Sequence, residues 1–188
     1  MLIRHGLLII ISVLVLLQWA VAVRAEEIGL IKGPVSRGLG VSYGQNWSPH
    51  TDDIRFTTAD VFWVYDRDPF FPYKASPVLN WILEAQAGAT VDGPAKLILS
   101  AGVLVKLLLT TEPDSAGIYA LGGIGVIYTG FKVEGQGLNF NFNPQFGFGV
   151  DILKKYYVQL RWHHVSNGGL NENNTGINSV VIHSGVYF

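Results

Sequence analysis

The sequence contains no cysteine. A disulfide framework, a thiolate zinc site, a cysteine nucleophile and a lipidated N-terminal cysteine are therefore all excluded. Charge is scarce as well: Asp, Glu, Lys and Arg make up 14% of the 188 residues, against ~25% in ordinary soluble domains. The two signs nearly balance, at 13 basic and 14 acidic residues. The chain thus lacks the surplus of Lys and Arg with which nucleic-acid binders displace counterions from phosphate. After the N-terminal segment it also lacks any apolar run of about 18 residues, which excludes a membrane-spanning helix there. What it has instead is 49% hydrophobic residues and 22 glycines, in a length that suits one domain. Much apolar surface with little charge means either a large core or surroundings that are not water.

The N-terminus reads as an export signal. Arg4 precedes an apolar stretch over 6–23 interrupted only by Ser12 and Gln18. Two small-x-small sites, Ala20-Val21-Ala22 and Val23-Arg24-Ala25, come before Glu26-Glu27. A basic head, an apolar middle and such a site describe a secretory signal peptide. The expected organisation is a signal peptide over 1–25 and one domain over 26–188. A retained anchor is the competing reading, because an apolar stretch of about 17 residues is just long enough to span. Loss of Arg4 and Arg24 takes the formal charge from −1 to −3. A cysteine-free exported protein fits a bacterial envelope.

The rest of the chain alternates with period two. In 139–152 the even positions hold Phe140, Phe142, Pro144, Phe146, Phe148, Val150 and Ile152, and the odd ones Asn139, Asn141, Asn143, Gln145, Gly147, Gly149 and Asp151. That is a strand with one greasy face and one wet or small face. In 80–91, Asn80, Glu84, Gln86, Gly88 and Thr90 oppose Trp81, Leu83, Ala85, Ala87, Ala89 and Val91, with Ile82 the exception. In 95–109, Lys96, Ser100, Gly102 and Lys106 oppose a row of Leu, Val and Ala. Eight such segments occur, at about 36–46, 54–65, 79–91, 95–109, 116–130, 139–152, 156–166 and 178–188. Turn signals separate them at Pro49-His50, 69–77, Asp92-Gly93-Pro94, Glu112-Pro113-Asp114, Gly135-Gln136-Gly137 and 167–176.

Strands of about 10 residues, greasy outside and polar or glycine inside, predict an all-β, eight-stranded antiparallel up-and-down transmembrane β-barrel. A soluble barrel or sandwich with its greasy face inward is the alternative. Aromatics crowd the greasy face, and the chain ends on Phe188 in parity with Val180, Ile182 and Val186. Both observations favour lipid. Pro144 predicts a lost ladder bond and a bulge, since a closed barrel has no edge strand to host it.

With both termini in the periplasm, the connection after the seventh segment is extracellular. His164 and Ser166 end the greasy face of that segment, and Asn178 opens the eighth on the same parity. Pointing an imidazole and a hydroxyl at acyl chains costs free energy unless they bond each other. A histidine that accepts the serine proton and a hydroxyl that attacks a carbonyl make the minimal acyl-transfer pair. The loop from Asn167 through Gly168, Gly169, Glu172 and Asn174 to Gly176 is rich in amide and glycine N–H donors that could form an oxyanion hole. The plainer reading is that His164 and Ser166 are interfacial polar residues at a strand end. His163 is expected to face the interior, and a His163/His164 chelate is not expected because strand neighbours point oppositely. Gly122-Gly123-Ile124-Gly125 lies within a strand and is no nucleotide loop.

The segment His164-Val165-Ser166-Asn167-Gly168-Gly169, followed by Asn174-Thr175-Gly176-Ile177-Asn178-Ser179 and a terminal apolar strand, resembles the C-terminal motif of lipid A deacylases of the PagL type and their acyloxyacyl hydrolase relatives. The resemblance implies an eight-stranded outer-membrane barrel that removes an ester-linked acyl chain, at the 3-O position, from lipid A of lipopolysaccharide. It implies His164 as general base and Ser166 as nucleophile. Asn167, Gly169 and Asn174 are then the oxyanion candidates. Where those deacylases have an acidic residue to orient the histidine, this sequence has Asn178. An amide oxygen can accept the imidazole N–H but brings no negative charge to the imidazolium, so slower turnover is expected. Glu172 is a candidate substitute acid.

No cofactor and no metal are expected. Lipopolysaccharide and outer-membrane lipid are the expected partners, no nucleic acid is, and a second copy of the chain is the one protein partner left open. The site is expected at the outer leaflet. The competing function is a non-enzymatic barrel: scaffold, adhesin or narrow pore.

Overall fold

The computed structural model describes residues 33–47, 53–65, 78–110 and 116–188. The predicted signal segment and the turns at Pro49-His50, 69–77 and Glu112-Pro113-Asp114 lie outside the described residues. The elements are β1 (Ser36–Asn46), β2 (Arg55–Tyr65), β3 (Leu79–Thr90), β4 (Leu97–Leu108), β5 (Ala116–Thr129), β6 (Phe140–Ile152), β7 (Tyr156–Val165) and β8 (Ile177–Tyr187). Each pairs antiparallel with the next, and β8 returns to β1 to close the barrel. At the seam Phe188 N–H donates to Arg37 O at 2.8 Å and Arg37 N–H to Phe188 O at 3.2 Å. Closure leaves no sheet edge, so the ladder can satisfy the backbone polar groups of every strand without water, as strands set in hydrocarbon require.

Parity sorts the side chains as predicted. Inward positions are even on β1 to β4 and odd on β5 to β8. Outward positions carry Leu39, Val41, Val126, Phe146, Phe148, Leu160 and Ile182, all exposed. Inside, the lumen is filled. Phe62, Val64, Ile82, Leu104, Tyr119, Leu121 and Tyr157 cluster at the end where β1 begins and β8 ends. Ile98, Ile127, Phe131, Val133, Val165 and Ile177 cluster at the opposite end. Ile82, the exception to the polar face of its strand, thus belongs to an apolar plug.

Between the plugs lies a polar layer. Arg161 grips Glu84 through two bonds of 2.8 Å, Nη1 to Oε1 and Nη2 to Oε2, and also donates to Gln159 (2.7 Å) and Gln145 (3.0 Å). At the end that holds the chain termini, against the Tyr119 ring of the first cluster, Lys106 pairs with Asp151, whose other oxygen accepts from Tyr187 at 2.8 Å. The two-bond fork suits a guanidinium, which matches both carboxylate oxygens at once. Glycines make room for these large interior groups. A Cβ on Gly149 would lie 2.4 Å from the Tyr119 ring.

Pro144 does not make a bulge. The β5–β6 register runs unbroken through Ile124–Pro144. The loss falls on the other side. The β6–β7 ladder stops at Gln145–His163 and resumes in an isolated bridge between Phe142 and Ser166, in the same register. Pairs that exchange two bonds alternate along an antiparallel ladder. Phe142 and Ser166 exchange both, at 2.8 and 3.1 Å, so Pro144 and His164 occupy the next such pair, where proline has no N–H to offer the His164 carbonyl. A missing hydrogen suffices to interrupt the pairing, and no extra residue is needed.

Candidate active site

The site lies at the end of the barrel capped by the Ile98 cluster, opposite the end that holds both chain termini of the barrel. His164 is outward on β7 and faces Asn178 directly across the β7–β8 pair. Their side chains meet: His164 Nδ1 lies 2.8 Å from Asn178 Oδ1. An amide oxygen only accepts, so Nδ1 carries the proton and Nε2 is left with its lone pair. Ser166 is outward on the same face, two residues along, roughly 7 Å further by the rise of the strand. Its backbone is fixed by the two bonds to Phe142. All three side chains are half-buried, and none points into the lumen.

The imidazole is packed on both sides. Trp162 stacks against it with ring centroids 5.6 Å apart and planes 16° from parallel, and Phe146 packs on Trp162 at 5.0 Å. On the other side Gly176 approaches so closely that a Cβ there would sit 2.6 Å from His164 Cε1 and 3.2 Å from Nε2. The ring is thus held by its neighbours as well as by its hydrogen bond. Trp162, Gly176 and Phe142 escaped the sequence reading. Trp162 could have been found from its parity with His164, whereas the approach of Gly176 exists only once β7 and β8 are paired.

The β7–β8 loop is organised by its own asparagines. Asn167 is buried, and its backbone N–H donates to Asn174 Oδ1 at 2.8 Å. Its side chain donates to Asn173 O at 2.8 Å and accepts from Gly169 N–H at 2.9 Å. Gly168 and Gly169 take left-handed backbone angles, φ +65° and +83°, which favour glycine. Of the three oxyanion candidates, Asn167 and Gly169 therefore spend these N–H groups inside the loop. Asn174 is exposed and uses its oxygen as acceptor, so its Nδ2 is the donor it can offer outward. Glu172 is exposed in the loop, and the place at Nδ1 that a substitute acid would take is held by Asn178.

One group among the described residues has metal-ligand spacing. Asp60, Glu84 and His183, all buried in the lumen, can bring ligand atoms within 4.8 Å of one another. Both oxygens of Glu84 already serve Arg161, and a divalent ion there would face that guanidinium. The donor set is a poor one for a metal, and it lies inside the wall from His164.

An outward histidine fixed by an amide, with a serine two residues along at the loop end, is an arrangement to compare with known proteins. The profile of the family described as Lipid A 3-O-deacylase (PagL) matches residues 54–187. The chain belongs to this lipid A deacylase family. The crystal structure of the outer membrane enzyme PagL aligns with a TM-score of 0.59 at 21% identity, over 78% of this chain and 98% of that one. Neisserial surface protein A (NspA) aligns with a TM-score of 0.57 at 10% identity, over 81% and 94%. No curated protein matches. At these identities the structural likeness establishes the outer-membrane barrel, and nearly equal scores for an enzyme and a surface protein show that the fold alone does not select a function. Family membership does, and the matched span contains every candidate site residue.

Proposed function

We propose that the chain is an outer-membrane serine esterase that removes the 3-O-linked acyl chain from lipid A at the outer leaflet. His164 Nε2 takes the proton from Ser166 Oγ as that oxygen attacks the ester carbonyl carbon. The carbonyl oxygen becomes an oxyanion, and Asn174 Nδ2 is its side-chain donor. Asn167 and Gly169 serve indirectly by holding Asn174 and shaping the loop. Asn178 keeps Nδ1 protonated and steadies the imidazolium. The tetrahedral adduct collapses, the C–O bond to the sugar breaks, and the departing sugar oxygen receives the proton from Nε2. Water, deprotonated by the same nitrogen, then attacks the acyl carbonyl, freeing the fatty acid and restoring Ser166.

One observation carries this reading: a tautomer-fixed histidine and a serine share the outward face at the rim of the greasy wall. A lipid ester can reach them without leaving the membrane. For a scaffold or adhesin, an imidazole and a hydroxyl directed at lipid are an unexplained cost, and a lumen filled with side chains does not suit a pore. The test is expression in a cell whose lipid A is defined, followed by mass spectrometry of extracted lipid A. Loss of one hydroxyacyl mass that disappears with Ser166→Ala and with His164→Ala is expected. An unchanged profile with the intact barrel overturns the proposal.

A further inference from the structure

The β5–β6 loop, residues 130–139, holds none of the residues assigned to the reaction, yet it is fastened to the loop that does. Gly137 N–H donates to Asn173 O at 2.8 Å, and Thr175 N–H donates to Gly135 O at 2.9 Å. These bonds flank a bridge between Gln136 and Asn174. Five residues further along the chain from Gly137, Phe142 exchanges its two bonds with Ser166, and a Cβ on Gly168 would meet the Phe142 ring at 3.0 Å. One stretch, 135–142, therefore grips the β7–β8 loop at two points. One grip is at the serine, the other at Asn174 itself.

The contacts require glycine. A Cβ on Gly137 would lie 2.2 Å from Asn171 Oδ1 and 2.9 Å from the Asn173 carbonyl oxygen, the acceptor of its own N–H. A Cβ on Gly135 would lie 2.2 Å from Thr175 Oγ1, and its φ of +75° disfavours any other residue. Within its own loop Asn174 is tied to Asn167 by the single bond described above, and a connection of this length samples many backbone states unless something outside it restrains them. The geometry points to the β5–β6 loop as a positioning element of the catalytic centre, in which Gly135 and Gly137 seat its backbone on residues 173–175 and fix the Asn174 amide relative to Ser166. This rests on the roles proposed above for Ser166 and Asn174.

The test is Gly137→Ala in the purified full barrel in detergent, with kcat and KM measured on lipid A and folding followed by heat-modifiable gel mobility. Gly93→Ala is the control. Gly93 has a left-handed φ, +66°, which Gly137 does not, and lies in the β3–β4 connection with nothing within 4 Å of its Cβ position, so it reports the cost of a loop methyl that meets no neighbour. Misplacing a catalytic donor by ~1 Å can cost about 100-fold. Gly137→Ala is expected to lower kcat about 10- to 100-fold at nearly constant KM, with Gly93→Ala at the wild-type rate. Should Gly137→Ala not give the compact barrel, Lys132→Met is read instead. It removes the 3.0 Å bond from Lys132 Nζ to the Gly137 carbonyl together with the ammonium charge, and the same kcat-selective loss is expected at about three-fold. A compact Gly137→Ala barrel with wild-type kcat, or one that raises KM alone, overturns the inference while leaving the esterase reading intact. A wild-type protein that never acts on lipid A sinks the esterase reading first.

Discussion

Replacing Asn178 tests how the histidine is held. The amide oxygen accepts from His164 Nδ1–H at 2.8 Å, a neutral bond worth ~1 kcal/mol, whereas a bond to a charged partner is worth roughly 1.5–3 kcal/mol. Asn178→Asp changes one heavy atom and keeps the reach, so it adds charge without moving the ring. The imidazolium formed as Ser166 loses its proton should gain about 1–2 kcal/mol, which at 1.36 kcal/mol per decade is roughly a 5- to 30-fold rise in kcat. Asn178→Ala removes the acceptor, frees the tautomer and leaves a half-buried N–H without this partner. A loss of similar size in the opposite direction is expected. Asn178→Glu should fall between, because its extra methylene must fold against Gly176. Initial rates of fatty-acid release from lipid A in detergent, at saturating substrate, read these changes directly. Wild-type kcat in Asn178→Ala would refute the orienting role, and a compact Asn178→Asp barrel that is slower than wild type would refute the argument from charge.

Gly176→Ala places a methyl against the His164 ring and should lower kcat by about ten-fold with the barrel still compact, as read from gel mobility and turnover together. Arg161→Ala strands Glu84 inside the lumen and should destabilise the barrel by roughly 3–5 kcal/mol in denaturant unfolding in detergent. The double variant Arg161→Met with Glu84→Leu removes both charges and should recover much of that loss. Chelation of zinc or calcium should leave turnover unchanged, and activity that vanishes with chelator and returns with metal would turn attention to the acids of the loops and lumen.

The barrel was legible because its solvent reverses sides. A strand with lipid outside and a polar layer inside alternates along its whole length, and that pattern placed all eight strands within a few residues of their observed bounds. Parity also put His164, Ser166 and Asn178 on one face, as found. Where inward residues are apolar, alternation carries no signal. Ile82, Ile98 and Ile127 cap the polar layer and look, in sequence, like lapses in the pattern. The missing N–H of Pro144 is visible in sequence and predicts a bulge, but the register that lets the ladder skip one bond is not visible there. The clasp between Gly135-Gln136-Gly137 and residues 173–175 was invisible for a related reason. It joins two loops nearly forty residues apart through backbone atoms, whose partners no side chain announces.

The sharpest measurement is covalent capture of the nucleophile. The purified barrel in detergent is treated with an alkyl sulfonyl fluoride, whose chain can lie along the greasy wall, and the site of attachment is found by peptide mass spectrometry. The account predicts one adduct, on Ser166, formed far more slowly in His164→Ala and absent in Ser166→Ala. A reagent-sensitive enzyme that carries its adduct on another residue, or labelling of Ser166 at the same rate without His164, would contradict it.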